Sequence, residues 1–348
     1  MAEDSGRKAI LLDPGTLSEE YIPKNILQRE EQIAVLKSCF SPILKNDKPL
    51  NVWLHGKPGT GKTATAKHLV REICTKSGAS YIHVNCRKYN SFYSILNFIL
   101  NEMRAGFGNE RDGRVKLEKI EKYVKDKPML IILDEIDFLP HKERNSLLYS
   151  LSFGKVGLVC ISEDRDAVLL LNGRAKSRLQ PQLVEFKAYS PEEIKDILKE
   201  RAVLALDSRV WSTKSLDKIA GLSKGDARAA IQTLRGAAEF SELQGSPALN
   251  ETHINKAFCN VNGLMKSYTL KRLGNHYEMI YGLIERSGPI LSTDLWNSYL
   301  EDCKTRSVKP AAKRTYSYHV HKMTRLKLID AKRARIRGHV YEFSVRNG

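Results

Sequence analysis

The chain lacks most of the features that would place it outside the cell or in a membrane. Its six cysteines, Cys39, Cys74, Cys86, Cys160, Cys259 and Cys303, are scattered and form no CxxC pair. That spacing excludes a zinc ribbon and argues against a disulfide framework. No apolar run approaches the length of a membrane span, and no secretory signal opens the sequence. Low-complexity tracts and internal repeats are also missing. The expectation is a cytoplasmic protein that keeps company with the nucleoid and has no membrane partner. What is present in excess is positive charge: +17 over 348 residues. Residues 270–348 hold 16 Lys/Arg against 7 Asp/Glu, a net of +9, whereas the preceding 269 residues carry a net of +8. The C-terminal end therefore points to a polyanion as partner.

At 348 residues the chain exceeds one ordinary core. Strand-like and helix-like segments alternate first. "NVWLHG" (51–56), "YIHVNC" (81–86), "MLIILDEID" (129–137), "VGLVCISED" (156–164) and "LVEFKAY" (183–189) read as five strands. Helical stretches separate them, which predicts an α/β base with a five-stranded parallel sheet. From 190 the pattern is helical only. Ser190, Pro191 and Glu193 form a helix-start signature, and "GDARAAIQTLRGAAEFSEL" reads as a long helix. The expected organisation is a base over 1–189, an all-helical unit over 190–265 and a third unit over 266–348.

"GKPGTGKT" fits GxxxxGK[ST] at every position. Gly56, Gly59 and Gly61 let backbone N–H groups converge on a β-phosphate, with Pro58 and Thr60 completing the loop. The next helix aims its positive N-terminus at the same point. Lys62 reaches the β- and γ-phosphates, and the Thr63 hydroxyl ligates Mg²⁺. Asp134 and Glu135 close a strand of apolar residues, which sets Asp134 beside the Mg²⁺ and Glu135 where it can orient or deprotonate a water. ATP or ADP with Mg²⁺ is the expected ligand.

The third unit reads as helices near 271–286, after "GPILSTDLWNSYLEDCK" and from about Pro310, then a hairpin turning near Gly338. On the last helix Tyr316, Val320 and Met323 share a core face. Lys313, Arg314, Ser317, Tyr318, His321, Lys322 and Arg325 lie elsewhere around it. The hairpin carries Lys332, Arg333, Arg335 and Arg337 in "KRARIRG". Helix, helix, basic helix and basic hairpin is the layout of a winged helix. The basic helix would enter a major groove and the wing would lie on phosphates or in a minor groove.

"LDEID" with a helical lid resembles the AAA+ ATPases. That resemblance implies three further residues. Ser162 or Glu163 occupies the place of a γ-phosphate sensor, and an acid there departs from the family pattern. "NGRAKSRLQ" resembles the segment that presents an arginine finger, Arg178 first and Arg174 second. "GDARAAIQTLR" resembles the lid's second sensor, with Arg228 facing the nucleotide.

The domain order resembles the archaeal replication-initiator family, related to the eukaryotic origin recognition complex and its helicase-loading partner. "YIPKNILQREEQIAVLKSCFSPIL" and "VNCRKYNSFYSILNFIL" resemble that family's own segments. The resemblance implies that Tyr21, Ile22 and Pro23 touch adenine. It also implies that "RAGFGNERDGR" (104–114), a basic loop with Arg111 and Arg114, falls where initiators carry a DNA-gripping insertion. Lys327 stands where the family has Gly. The implied protein is an ATPase that binds duplex DNA at replication origins, helps to bring the replicative helicase, hydrolyses ATP slowly as a switch, and works as a homo-oligomer or beside a paralogue. The alternatives are a clamp-loader-like or helicase-loader AAA+ subunit, and an ATP-gated DNA-binding regulator without a replication role.

Overall fold

In the computed structural model, residues 10–104, 112–326, 328–334 and 340–345 are described here. The chain divides into two compact units, Met1–Ala257 and Phe258–Gly348.

The first unit opens with an arm that leads to helix α1 (Glu30–Phe40) and strand β1 (Val52–His55). Helix α2 (Lys62–Ser77), strand β2 (Ser80–Asn85), helices α3 (Phe92–Glu102) and α4 (Gly113–Tyr123), and strand β3 (Met129–Asp134) follow. Helix α5 (His141–Leu151), strand β4 (Val156–Ser162), helix α6 (Gly173–Leu179) and strand β5 (Gln182–Glu185) complete the base. The five strands pair in parallel in the order β2-β3-β4-β1-β5. Every residue of β1, β3 and β4 is buried. Alternate residues go to opposite cores: Ile131, Leu133, Leu158 and Cys160 to one, Leu130, Ile132, Val159 and Ile161 to the other. Both faces are therefore covered, which is why these strands read as unbroken apolar runs.

Helices α7 (Pro191–Ala205), α8 (Thr213–Ser223) and α9 (Ala227–Leu243) build the lid. The expected capping box starts α7: the Ser190 N–H donates to Glu193 Oε2 at 2.7 Å and the Glu193 N–H donates to Ser190 Oγ at 3.2 Å. The lid core also takes in Ile10 and Leu17 from the N-terminal arm.

Two sequence expectations change. Gly113 and Arg114 belong to the first turn of α4, not to a loop. Asp112 caps that turn by accepting from the Arg114 N–H at 2.8 Å. A Cβ at 113 would stand 3.0 Å from Phe92 and 3.1 Å from Tyr93, so glycine packs there without displacing either ring. The helical run near the third unit also breaks later. Helix α10 (Glu251–Leu273) continues to Gly274, whose φ of 105° ends it. The division between the compact units falls inside α10.

The second unit then adds α11 (Asn275–Ser287), β6 (Ile290–Leu291), α12 (Ser292–Thr305), α13 (Lys313–Arg325), β7 (Ile329–Arg333) and β8 (Tyr341–Val345). The strands form an antiparallel sheet in the order β6-β8-β7. Three helices and this sheet make a winged helix. Tyr316, Val320 and Met323 are buried in its core, as their spacing on α13 predicts. The short strand β6 has no signal in the sequence, since two residues are too few for a period.

Candidate functional site

The phosphate loop runs off β1 at the carboxyl edge of the sheet. Backbone geometry explains its glycines. Gly59 has φ of 70°, and a Cβ there would stand 1.8 Å from the Asp226 carboxylate. Gly61 has φ of 86°, and a Cβ would stand 2.5 Å from the Tyr189 hydroxyl. Left-handed φ and close packing both require a missing side chain. Gly61 also N-caps α2 without a side-chain acceptor, so the first amides of that helix are left for an external anion.

Lys62 follows at once and is only 8% exposed. Its ammonium donates to the carbonyls of Gly56 and Lys57 at 2.7 and 2.8 Å. Burial pushes its pKa down to about 8; Glu163, Asp134 and Asp137 oppose that shift, and Arg228 adds to it. A buried ammonium held by neutral carbonyls fits a missing anionic partner. The donor set beside it consists of hard oxygens, as Mg²⁺ requires. Thr63 Oγ donates to Asp134 Oδ1 at 3.2 Å, and the other oxygen, Asp134 Oδ2, lies 3.2 Å from His83 Nε2. Glu135 adopts a left-handed φ of 55°, and its N–H donates to Asp134 Oδ1 at 3.0 Å. The bend turns the chain sharply at the end of β3.

The proposed γ-phosphate sensor does not have a spare hydroxyl. Ser162 Oγ accepts from Trp53 Nε1 at 2.8 Å and donates to the Asp164 carbonyl at 2.8 Å, and the residue is buried. Its neighbour Glu163 donates its N–H to Asp137 Oδ2 at 2.7 Å. Glu163 is also the foremost carboxylate favouring a charged Lys62. An acid at this position therefore supports the lysine's charge.

The lid closes over the loop. Asp226 caps α9, accepting from the Ala229 N–H at 2.9 Å, and the Ala227 N–H donates to the Gly59 carbonyl at 3.0 Å. Burial raises the Asp226 pKa. Arg228 is exposed on the same first turn, 3.9 Å from Glu19, and acts electrostatically on Lys62. On the arm, Tyr21 lies 4.3 Å beneath the Arg201 guanidinium, and Ile22 is half-buried. The two arginine-finger candidates differ: Arg178 donates to the Ser152 carbonyl at 3.0 Å and sits 4.7 Å over the Tyr149 ring, while Arg174 is exposed one turn earlier on α6.

In the winged helix, Lys313, Arg314, Ser317, Tyr318, His321 and Arg325 are exposed on α13. Lys322 is half-buried, with its ammonium 5.9 Å from the Tyr277 and Tyr318 rings. Lys332 and Arg333 are exposed on β7. Arg114 is exposed on α4. The turn at Gly338 with Arg335 and Arg337, the loop residue Arg111, and Lys327 lie outside the described residues. Sequence reasoning missed His83, Tyr189, Asp226 and Arg29. Of these only Asp226 carried a signal, as an N-cap type ahead of a helix.

Comparison with known proteins agrees with this architecture. Residues 46–174 match the AAA domain, and residues 195–259 match the Cdc6 AAA+ ATPase-type lid domain. The ORC1-type DNA replication protein 1 of Sulfurisphaera tokodaii is 31% identical over 346 residues, covering 94% of this chain and 87% of that protein. The ORC1-type DNA replication protein of Pyrococcus abyssi is 29% identical, covering 93% and 84%. Among solved structures, the Aeropyrum pernix ORC1 protein in complex with DNA superposes with a TM-score of 0.79 at 26% identity, covering 97% of this chain and 94% of that one.

Proposed function

This chain belongs to the family of ORC1-type DNA replication proteins, and from that premise we propose that it is an origin-binding initiator ATPase whose nucleotide state switches its grip on duplex DNA. The observation that carries the reading is Lys62. A buried ammonium sits at the uncapped start of α2, against carbonyls, with the oxygens of Thr63 and Asp134 alongside.

In the proposed mechanism Lys62 leaves the Gly56 and Lys57 carbonyls for the β- and γ-phosphates. Thr63 and Asp134 would hold Mg²⁺, which supplies charge neutralisation on the phosphate oxygens. His83 fixes the orientation of the Asp134 carboxylate. Glu135 takes a proton from water as the water oxygen attacks the γ-phosphorus and the bond to the β–γ bridging oxygen breaks. Arg228 reads the phosphates from the lid, and a neighbouring subunit's Arg174 or Arg178 completes the charge. Ser162 is tied to Trp53 and Asp164. With no free hydroxyl at that place, hydrolysis is slow and the protein acts as a switch.

The DNA complex of the Aeropyrum pernix relative supports a duplex as partner. In our reading α13 enters the major groove through Lys313, Arg314, Ser317, Tyr318, His321, Lys322 and Arg325. The hairpin, with Lys332 and Arg333, follows the backbone, and Arg114 adds a contact from the base. Recruitment of the replicative helicase, assembly with a second copy or a paralogue, and residence at the nucleoid follow from the family role. Titrating an origin-length duplex at several salt concentrations, with and without Mg-ATP, tests the core of this. The expected result is a log–log slope of about −0.9 per phosphate contacted and a nucleotide-dependent affinity. A flat salt response overturns the DNA assignment.

A further inference from the structure

Arg29 is only 4% exposed, at the point where the N-terminal arm becomes α1. No carboxylate forms an ion pair with it among the described residues. Its donors go to backbone carbonyls instead. Nε and Nη2 both donate to Thr60 O at 3.1 Å, Nη2 also donates to Lys187 O at 2.8 Å, and Nη1 donates to Gln28 O at 3.0 Å. The guanidinium lies 3.6 Å over the Tyr189 ring, whose hydroxyl abuts Gly61. One planar cation thus joins three pieces of chain: the arm at Gln28, the phosphate loop at Thr60, and the connection between base and lid at Lys187.

The arm is bound to the lid, which gives this junction a mechanical meaning. Ile10 and Leu17 lie in the lid core. The Leu12 N–H donates to the Ala205 carbonyl at 2.7 Å. Arg201 donates to Thr16 O at 3.0 Å and covers Tyr21. Gln28 Nε2 donates to Asp196 on α7 at 2.9 Å. Gln232 on α9 donates to Glu19. On the other side of the loop, the lid reaches Gly59 through the Ala227 N–H and reaches Tyr189 through Gly225 O, which accepts from the Tyr189 N–H at 3.2 Å. Arm and lid form one body, and Arg29 is the only buried charged side chain among the described residues of the arm and of α1.

We infer that Arg29 is a positioning residue that couples the arm-and-lid body to the phosphate loop and thereby sets how fast bound nucleotide leaves. Holding the Thr60 carbonyl inward keeps the loop's amides turned toward the phosphates. Holding the Lys187 carbonyl with the same group means the lid cannot swing away without disturbing the loop. The inference rests on the nucleotide site argued above and adds to it a device that governs release.

The test uses the full-length chain and a fluorescent ADP, with release followed after dilution into unlabelled ADP. Hydrogen exchange is measured on the peptides covering residues 10–29 and 56–63. Arg29→Lys keeps the charge but offers a compact point donor that cannot fork between Thr60 and Lys187. Release should accelerate at least about 10-fold. ADP should still protect residues 56–63 in this variant, yet no longer protect residues 10–29 as it does in the wild type. Loss of coupled protection is a readout that general destabilisation does not produce. Gln28→Ala, at a half-buried position whose left-handed backbone, φ 61°, already carries an L side chain, removes the link to Asp196 and should accelerate release about threefold. Release within a factor of two of wild type in both variants, with protection of the arm retained, overturns the inference and leaves the nucleotide site standing. Should Arg29→Lys fail to fold, Gln28→Ala decides alone on the same readouts. Wild-type protein that binds no labelled ADP overturns the site and this inference together.

Discussion

The phosphate loop and helix α13 both depend on cations, and they hold them in opposite ways. Lys62 is buried, its ammonium fixed by two carbonyls and its pKa brought down to about 8 by desolvation. Lys313, Arg314, His321 and Arg325 stand exposed on one helix. The first arrangement is preorganised: the charge has lost its water before the ligand arrives, so binding recovers a large electrostatic interaction. The second is an exposed set of cations, which in our reading would gain by releasing counterions from a polyanion. In our reading the first suits a single small ligand and the second a long polymer.

The sharpest way to break that contrast is Lys62→Ala. Nucleotide affinity, read by equilibrium titration of a fluorescent ATP analogue, should fall about 100-fold because a charge-assisted donor to phosphate is lost. Duplex affinity in nucleotide-free buffer should stay within a factor of two. A parallel loss of both would mean that the two regions are not separable. The converse change is Lys313→Ala with Arg314→Ala. Affinity for duplex should fall about 10-fold at moderate salt, and the log–log slope should become shallower by about 1.8, the value for two phosphate contacts. Nucleotide affinity should not move. Smaller still is His83→Ala, which removes the partner of Asp134 Oδ2. The Mg²⁺ concentration needed for half-maximal ATP binding should rise about fivefold, the worth of one ordinary hydrogen bond. An unchanged Mg²⁺ requirement would show that Thr63 and the Glu135 N–H orient the carboxylate by themselves.

The same contrast explains what could be read from the sequence. The phosphate loop was legible because backbone geometry dictates it: Gly59 and Gly61 need positive φ, Lys62 must follow, and the spacing admits few alternatives. Strands β3 and β4 were legible as apolar runs because both faces are covered. Helix α13 was legible through the period of Tyr316, Val320 and Met323. Arg29 was not legible. Followed by two glutamates at the start of an amphipathic helix, it reads as a solvated surface charge, and only the return of residues 60, 187 and 189 to the same place reveals its burial. The surroundings of Ser162 were hidden for a related reason. Position along the strand suggested a phosphate sensor, but its partners Trp53 and Asp164 arrive through the sheet register and the turn beyond it. The helix expected near 271–286 begins instead after Gly274, whose positive φ ends α10 and whose break the helical pattern around it does not announce.

The mildest test sharpens the comparison through pH. Under α13, His319 packs 4.3 Å from the Tyr277 ring and stacks on His276 at 6.0 Å, with Lys322 and Tyr318 nearby. Its Nδ1 is buried without a partner among the described residues. Burial lowers its pKa, and His276 and Lys322 lower it further. An imidazole kept neutral in the fold gains its proton more readily when unfolded. Below the ordinary histidine value of 6.5 the unfolded chain therefore binds more protons, and stability falls as pH drops. Lys62 follows the same sign in another window: its folded pKa of about 8 lies below the ordinary 10.5, so its burial cost is present below pH 8 and relieved above it. Thermal unfolding of the full-length chain should thus show the winged-helix unit losing a few degrees between pH 7.5 and 5.5. His319→Phe should flatten that loss while leaving nucleotide affinity intact. An equal acid sensitivity in His319→Phe would assign the effect to groups other than His319, and would remove the distinction between an acid-sensitive unit and an alkali-relieved one.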